Sequence, residues 1–249
     1  MPARRLGRVA TYRDEAVVLR TYQLGEADRI ICLLTRAHGK VRAVAKGVRR
    51  TSSKFGSRLE PFSHVDIQFA EGRGSLEVVT QVETLHPSQL GLDYDRFTAG
   101  QVLVETAERL VAEDGVPALQ QYRLLLGALL AMNRADMSPN AVVDSYLLRS
   151  LAIAGWAVVL ESCSGCGSVD DVGWFNPQGG GTVCVRCRPP SSARVEQDSL
   201  RHLTALLTGD WETVSRTEPG VARRCHGLVV AFASWHMDRG LRSIPFLER

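Results

Sequence analysis

EAVVLRTYQLGEADRIICLLTRAHGKVRAVAKGV (residues 15–48) contains three short apolar runs separated by turns, and this stretch decides the fold of the N-terminal region. The runs AVVLRTY, RIICLLT and VRAVAKGV have the length of β-strands, and the segments GEAD and AHGK between them are typical of turns. We therefore predict three consecutive strands near the start of the chain.

Two further strands, HVDIQFA and LEVVTQVETL, are joined by EGRG, a hairpin loop with two glycines. Val65, Ile67 and Phe69 alternate with polar residues, as a half-buried strand requires. The segment RRTSSKFGSRLEPF before these two strands is not strand-like and has room for a short helix. Five strands with such an insert between the third and fourth are the pattern of an OB-type β-barrel, although SH3-like barrels are similar in sequence.

From about Asp93 onward the apolar residues recur every three or four positions, which predicts helices. Ser138 suits a helix N-cap, Pro139 suits the first helical position, and Gly155 suits a helix end. The apolar stripe of that helix comprises Val142, Val143, Tyr146, Leu147 and Leu151. The helical period returns in DSLRHLTALLTG and GVARRCHGLVVAFASWHMD.

These patterns predict an α+β, multi-domain protein. We expect a basic N-terminal arm at residues 1–13 and an OB-type β-barrel at residues 14–86, which would be the nucleic-acid-binding domain. An all-α domain at residues 87–249 follows, and a four-cysteine zinc-binding insertion at residues 160–190 interrupts it.

The composition, 45% hydrophobic and 23% charged over 249 residues, is ordinary for a folded globular protein. No run of eighteen apolar residues occurs, so we expect no membrane span. The first residues lack the apolar core of a secretory signal, so we expect a cytoplasmic location under reducing conditions. Residues 1–80 carry a net charge of +7 and residues 81–249 carry −4, which suggests that the N-terminal part meets a polyanion.

Four of the six cysteines, Cys163, Cys166, Cys184 and Cys187, form two Cys-x-x-Cys pairs with 17 residues between them. Thiolates at this spacing reach one zinc ion from a tight turn, and the separation of the two pairs is usual for zinc sites. The residues GWFNPQGGGTV between the pairs suggest a small hairpin that brings them together. Two disulfides, or reduced cysteines without a metal, are the alternatives, and a reducing compartment disfavours disulfides.

Four cysteines leave no coordination position open for water, so we expect a structural Zn²⁺ rather than a catalytic one. The other two cysteines, Cys32 and Cys225, lie within apolar patterns and are interpreted as buried core residues.

A second cluster is basic and begins on the third predicted strand, where outward positions are about 7 Å apart, close to the phosphate spacing of an extended single strand. OB-type barrels bind oligonucleotides across the second and third strands and the nearby loops. The candidate DNA-binding residues are Lys40, Arg42, Lys46, Arg49, Arg50 and Lys54. A charged outward face that is merely solvated is the alternative interpretation.

Two aromatic residues of this region, Phe55 and Phe62, could stack on bases or belong to the core. The basic arm that contains Arg4, Arg5 and Arg8 could add contacts to the nucleic-acid backbone, or could be a tail without a role.

Catalytic motifs are absent from the sequence, since it contains no phosphate-binding P-loop, no H-E-x-x-H and no G-x-S-x-G. The six histidines are scattered and are interpreted as satisfied or solvated. Glu105, Glu108 and Asp144 are interpreted as solvated carboxylates on polar helix faces. We therefore expect no enzyme and no small-molecule substrate.

The order of these features has a precedent. The opening stretch, followed by LEPFSHVDIQF, resembles the start of the RecO family of bacterial recombination mediators, and RGLRSIPFL near the C-terminus resembles the end of that family. The likeness runs from about Asp14 to Leu247. Family members have an N-terminal OB domain, a helical domain and, in many cases, a four-cysteine zinc segment.

The resemblance implies a DNA repair protein of the RecF pathway that binds single- and double-stranded DNA and anneals complementary strands. It implies RecR and SSB as partners, assistance to RecA loading on SSB-coated DNA, and association with the nucleoid during that work. It also supports DNA contact by the six basic residues and metal ligation by the four cysteines. Arg223 and Arg224 are candidates for contact with the acidic tail of SSB.

Two alternatives remain open. One is a protein-interaction scaffold whose helical domain binds SSB or RecR, with only incidental DNA contact. The other is a zinc enzyme acting on nucleic acid, which would need an open metal position.

Overall fold

The computed structural model of the chain describes residues 10–72, 74, 76–237 and 240–247. The described residues form two compact units. One comprises those of Met1–Gln89 and Val111–Leu126, and the other comprises those of Leu90–Leu110 and Gly127–Arg249.

The first unit is built on a five-stranded closed barrel with the strand order β1-β2-β3-β5-β4. Neighbouring strands are antiparallel except β3 and β5, which pair in parallel over two residue pairs. The insert between β3 and β4 contains a short 3-10 helix, Gly56–Leu59. The predicted OB-type barrel is therefore confirmed. Its strands are β1 (Thr11–Leu24), β2 (Asp28–Thr35), β3 (Gly39–Ala45), β4 (His64–Ala70) and β5 (Glu77–His86).

The long strand β1 closes the barrel because it serves two neighbours. Its first half, Thr11–Val17, pairs with β4, and the stretch from Ala16 to Leu24 pairs with β2. A register shift, of the kind that a β-bulge produces, falls between Val18 and Arg20, where the strand passes from one neighbour to the other.

Alternation along the strands fills the barrel interior. In β3, Val41, Ala43 and Ala45 are buried, whereas Lys40 and Arg42 point outward, as the sequence pattern predicts. Cys32 and Cys225 are both buried, in agreement with their assignment to the core.

The start of α2 is held to the barrel by a chain of polar contacts. The ring of His64 lies 2.9 Å from His86 through the two Nδ1 atoms and 2.9 Å from the hydroxyl of Tyr122 through Nε2. The Tyr122 hydroxyl in turn donates to a carboxylate oxygen of Glu15 at 3.4 Å. Residues 111–126 are thereby fixed to the barrel at their C-terminal end.

The second unit is helical. Its central helix α3 contacts α1, α4 and α6. The predicted cap of α3 is confirmed, because the Ser138 hydroxyl oxygen accepts from the backbone N–H of Ala141 and Pro139 is the first helical residue. The helices are α1 (Tyr94–Leu110), α2 (Leu119–Arg134), α3 (Pro139–Ile153), α4 (Gln197–Thr208), α5 (Trp211–Arg216), α6 (Pro219–His236) and α7 (Ile244–Leu247).

A three-stranded sheet with the order β7-β6-β8 separates α3 from α4 along the chain. Its strands are β6 (Val172–Asn176), β7 (Gly181–Cys184) and β8 (Ala193–Arg194). Among the described residues, no helix is both long enough and apolar enough to cross a membrane.

Two carboxylates contradict the sequence-based interpretation. Glu105 is only 5% exposed and Asp144 only 2% exposed, so neither is solvated. Asp144 lies 2.7 Å from Nδ1 of His226, and burial raises the pKa of Asp144 although this hydrogen bond opposes the rise. The polar helix faces predicted at these positions are in fact packed against partners that are distant in sequence.

Candidate metal centre and nucleic-acid interface

The four cysteines of the two Cys-x-x-Cys pairs come together. The Sγ atoms of Cys163, Cys166, Cys184 and Cys187 all lie within 4.8 Å of one another, and those of Cys166 and Cys184 are 3.9 Å apart. A zinc ion with four thiolates at about 2.3 Å has sulfur–sulfur edges of about 3.8 Å. Each of the six cysteines is a free thiol. The donor set therefore fits a tetrahedral metal ion, and the disulfide alternative is not observed.

The first pair sits in a tight turn that the backbone closes on itself. The N–H of Cys163 donates to the carbonyl of Ser168, and the N–H of Gly167 donates to the carbonyl of Cys163, both at 2.7 Å. Gly167 has a φ of +74°, in the left-handed region that favours glycine. A further hydrogen bond from the Ser164 N–H to the Thr182 carbonyl, 2.8 Å, attaches this turn to β7.

The second pair occupies an equivalent turn at the end of β7. The backbone N–H groups of Cys187 and Arg188 both donate to the carbonyl of Cys184, at 3.1 and 3.0 Å. The hairpin of β6 and β7 carries this turn back to the first pair, as the sequence predicts. The ring of Trp174 packs against the cysteine cluster, and the guanidinium of Arg188 lies 3.8 Å from the ring centroid.

The electrostatics of the cluster favour thiolates at two of its corners. Backbone hydrogen bonds, first from Cys184 and then from Cys166, lower the pKa of the Cys163 thiol to about 6. Backbone hydrogen bonds also lower the pKa of Cys184, with Cys187 as the main donor. The neighbouring sulfurs raise the pKa of Cys187 to about 12. Four thiolates this close repel one another, and a divalent cation would offset that repulsion.

The basic residues do not share one environment. Lys40 and Arg42, in the first half of β3, contact the segment that follows α1. The ammonium of Lys40 donates to the carbonyl of Ala112 at 2.9 Å and lies 3.5 Å from the carboxylate of Asp114. The guanidinium of Arg42 contacts the other oxygen of Asp114 at 3.0 Å.

The opposite end of β3 is open. Lys46, Arg49 and Arg50 are exposed in the loop that leaves this strand. Arg49 lies beside the β1–β2 turn, because its guanidinium donates to the carbonyl of Gly25 at 3.3 Å and its backbone N–H to Ala27 at 3.0 Å. Lys46 lies six positions after Lys40, which corresponds to about 20 Å of extended chain.

The sixth candidate, Lys54, lies against β5. Its ammonium donates to the carbonyl of Thr80 at 3.0 Å and sits 5.1 Å from the ring centroid of Phe55. The structure thus divides the six predicted DNA-binding residues into three sets. These are the Asp114-bound pair of Lys40 and Arg42, of which only Lys40 is largely buried, an exposed group of three in the loop after β3, and Lys54, which is also exposed.

The aromatic residues of the insert are core residues. Phe55 is 2% exposed and packs in the barrel interior, and Phe62 is 5% exposed. Base stacking by these two rings is therefore excluded in this conformation. The arginines of the N-terminal arm, Arg4, Arg5 and Arg8, lie outside the described residues.

Sequence patterns missed a better stacking candidate. Tyr22 is 45% exposed and lies two residues before Leu24, another exposed residue, where β1 approaches the β1–β2 turn. This is the end of the barrel at which Arg49 lies. Simple alternation from the core residues Ala16 and Val18 would have placed Tyr22 inside the barrel. The register shift between Val18 and Arg20, which the sequence pattern does not reveal, accompanies its outward position.

Comparisons with known proteins agree with this architecture. Residues 9–88 match the family model described as Recombination protein O N terminal, and residues 91–245 match Recombination protein O C terminal. DNA repair protein RecO of Nocardioides sp. is 55% identical over 243 residues, which cover 96% of this chain and 99% of that protein. The proteins of the same name from Cutibacterium acnes and Streptomyces coelicolor are 52% and 51% identical, over 96% and 97% of this chain and 99% and 100% of their own.

Proposed function

Because the chain belongs to the RecO family of DNA repair proteins, we propose that it is a non-enzymatic DNA-binding protein that anneals complementary strands during recombinational repair. The observation that carries the proposal is the exposed group of Lys46, Arg49 and Arg50 beside the β1–β2 turn of a closed OB-like barrel. Loops at this position are where OB folds bind oligonucleotides.

Annealing requires two polyanions to approach each other. A protein that contacts phosphates with Lys and Arg releases condensed counterions, so its affinity falls as salt concentration rises. The Lys and Arg side chains that contact the phosphates also lower the electrostatic repulsion between the two strands. Tyr22, exposed at the same end of the barrel, offers a ring on which a base can stack without sequence preference.

Further assignments rest on the family membership. We propose RecR and SSB as partners, and assistance to RecA loading on SSB-coated DNA as the outcome. Arg223 and Arg224 are exposed on α6 and offer positive charge to an acidic tail. We also propose that Cys163, Cys166, Cys184 and Cys187 hold a structural Zn²⁺, since four thiolates complete a tetrahedron.

The DNA proposal is tested by a double variant, Arg49→Gln with Arg50→Gln. Affinity for a fluorescent oligo(dT) strand is measured by anisotropy across salt concentrations, and annealing is followed by energy transfer between labelled complementary strands. Loss of two phosphate contacts should reduce the slope of log K against log salt by about 1.4 for a single strand.

A matched control carries the same change of charge elsewhere. Arg201 and Arg216 are exposed arginines of the helical unit, with side chains 66% and 77% exposed. Arg201→Gln with Arg216→Gln should leave the slope unchanged. If both double variants behave like the wild type, or if the wild type binds SSB-coated strands but ignores naked ones, the barrel surface does not bind DNA and a protein scaffold is the better description.

A further inference from the structure

The Asp114-bound pair on β3, Lys40 and Arg42, contacts a short acidic segment at residues 112–116, with the sequence AEDGV. Asp114 places one carboxylate oxygen 3.0 Å from Arg42 and the other 3.5 Å from Lys40. The carbonyl of Ala112 accepts a hydrogen bond from the Lys40 ammonium. As a result the side chain of Lys40 is only 13% exposed, although it lies on the outward face of the barrel.

The backbone of this segment also docks on β3. The N–H of Gly115 donates to the carbonyl of Lys40 at 2.9 Å, and residues 40 and 114 form an isolated parallel bridge. Gly39 permits this approach, because a Cβ atom at that position would lie 1.8 Å from the carbonyl oxygen of Val116. Gly39 also has a φ of +66°. Both the side-chain and the backbone contacts therefore hold residues 112–116 in one position on β3.

A carboxylate that bridges two cations occupies the place that a phosphate would take. Both are anionic oxygen acceptors, and Arg and Lys bind either of them through charge-assisted hydrogen bonds. The pairs made by Asp114 are partly exposed, its own side chain being 41% exposed, and such pairs exchange readily for another anion. Tyr122 fixes the chain beyond the segment, so the segment can lift from β3 while remaining tethered.

We propose that residues 112–116 are an intramolecular competitor for phosphate, and that Asp114 occupies a second strand-binding site formed by Lys40 and Arg42. This inference rests on the proposed DNA binding and assigns a regulation to it. The exposed group at the other end of β3 takes the first strand. The Asp114-bound pair, with Lys40 about 20 Å of extended chain from Lys46, becomes available when a nucleic acid displaces Asp114.

The test compares two neighbouring charge removals. Asp114→Asn removes the bridging carboxylate. Glu113→Gln removes the same charge one residue earlier, where the side chain is exposed and forms no ion pair with any part of the chain that the structure describes. Binding of each full-length variant to oligo(dT) is measured across salt concentrations that span a tenfold range.

Asp114→Asn should bind oligo(dT) more tightly than Glu113→Gln. Its slope of log K against log salt concentration should be steeper by about 0.7 for each of the Lys40 and Arg42 side chains that contacts a phosphate. With two cations gained, the ratio of the two affinities changes by about 25-fold over a tenfold change in salt. Adding Lys40→Gln and Arg42→Gln to Asp114→Asn should remove the gain. Equal affinities and slopes for the two single variants would overturn the proposal.

A measurement on the wild type keeps the test valid if Asp114→Asn folds poorly. Hydrogen exchange at the Gly115 amide, which donates to Lys40, should accelerate when oligo(dT) saturates the protein. Unchanged exchange at that amide would show that the segment stays in place, and the proposal would fail. Failure of the proposed function is seen separately, in the wild type and the Arg49 and Arg50 variant, which do not depend on Asp114.

Discussion

Glu105 offers the sharpest test of what holds the helical unit together, through the substitution Glu105→Gln. Its carboxylate lies in α1 and accepts four hydrogen bonds. Oε1 accepts from the Arg109 guanidinium at 2.7 Å and from the Arg242 N–H at 2.9 Å. Oε2 accepts from the N–H and the hydroxyl of Ser243, at 3.0 and 2.6 Å. The C-terminal segment before α7 is thus fastened to α1 by a single buried charge.

The cost of the substitution follows from counting donors. A glutamine keeps one acceptor oxygen and replaces the other with an NH2 group. If the NH2 group faces Ser243, the hydroxyl can turn and accept, but the Ser243 N–H loses its partner. A buried unsatisfied donor costs about 1–3 kcal/mol, and each hydrogen bond that loses its charge becomes weaker by about 1 kcal/mol. We therefore expect a loss of about 3–5 kcal/mol in the unfolding free energy of the helical unit.

Calorimetry measures this loss as a lower melting temperature, by about 10 °C or more. Hydrogen exchange at the Arg242 and Ser243 amides should accelerate at the same time. Glu161→Gln, an exposed substitution in the same unit, should change stability by less than about 0.5 kcal/mol. If Glu105→Gln melts at the same temperature as this control, the hydrogen bonds to the Glu105 carboxylate do not stabilise the helical unit as calculated.

The pH dependence provides a second check on Glu105. Burial opposes ionisation, but the Ser243 hydroxyl, the two backbone N–H groups and Arg109 outweigh it and lower the pKa of Glu105 below its ordinary value of 4.5. A carboxyl whose pKa is lower in the folded state stabilises the fold above pH 4.5, and that contribution is lost as the pH falls through the folded-state pKa. The stability gap between wild type and Glu105→Gln should therefore be constant near pH 7 and should narrow below about pH 4.5. A gap that stays constant down to pH 3 would contradict the assignment.

Two further predictions concern the cysteine cluster and β3. Cys184→Ser should lose the metal, measured as about one equivalent of zinc less per chain, and protease should then cleave near the β6–β7 hairpin. The control Cys225→Ala, at a buried cysteine outside the cluster, should retain the metal. Equal zinc contents in the two variants would contradict ligation by Cys184. Gly39→Ala should cost more than the roughly 1–2 kcal/mol expected for a left-handed backbone alone, because its Cβ would meet the Val116 carbonyl. Gly25→Ala, with a φ of +57° and open space around the added Cβ, is its control, and equal melting temperatures for the two would argue against docking of the segment on β3.

The barrel could be predicted from sequence because its determinants are local. Alternation in β3 buries Val41, Ala43 and Ala45, and the turns fall where glycine and polar residues cluster. The cysteine cluster was predictable for a similar reason, since tight Cys-x-x-Cys turns carry their own geometry. The start of α3 was also predictable, because the cap residue Ser138 lies only three residues before Ala141, whose N–H donates to its hydroxyl oxygen.

The buried carboxylates could not be predicted in this way. The partners of Glu105 lie 137 and 138 residues further along the chain, and the partner of Asp144 lies 82 residues further. A helical pattern shows which residues share a face, but it does not show which segment returns to cover that face. A helical pattern therefore does not show whether polar residues on its outer face contact solvent or a distant segment of the chain.

The same limit explains why the basic stripe divides. Sequence spacing places Lys40, Arg42 and Lys46 on one face of the third strand. The structure has Lys40 and Arg42 on the outward face of β3, whereas Lys46 lies in the loop just after the strand ends at Ala45. The charge that neutralises the first two comes from Asp114, 72 residues after Arg42, so it does not enter a charge count over residues 1–80. Because residues 111–126 belong to the barrel unit, the net charge of that unit includes Glu113 and Asp114. Under the proposed competition, the affinity for DNA is set by how readily Asp114 leaves Lys40 and Arg42.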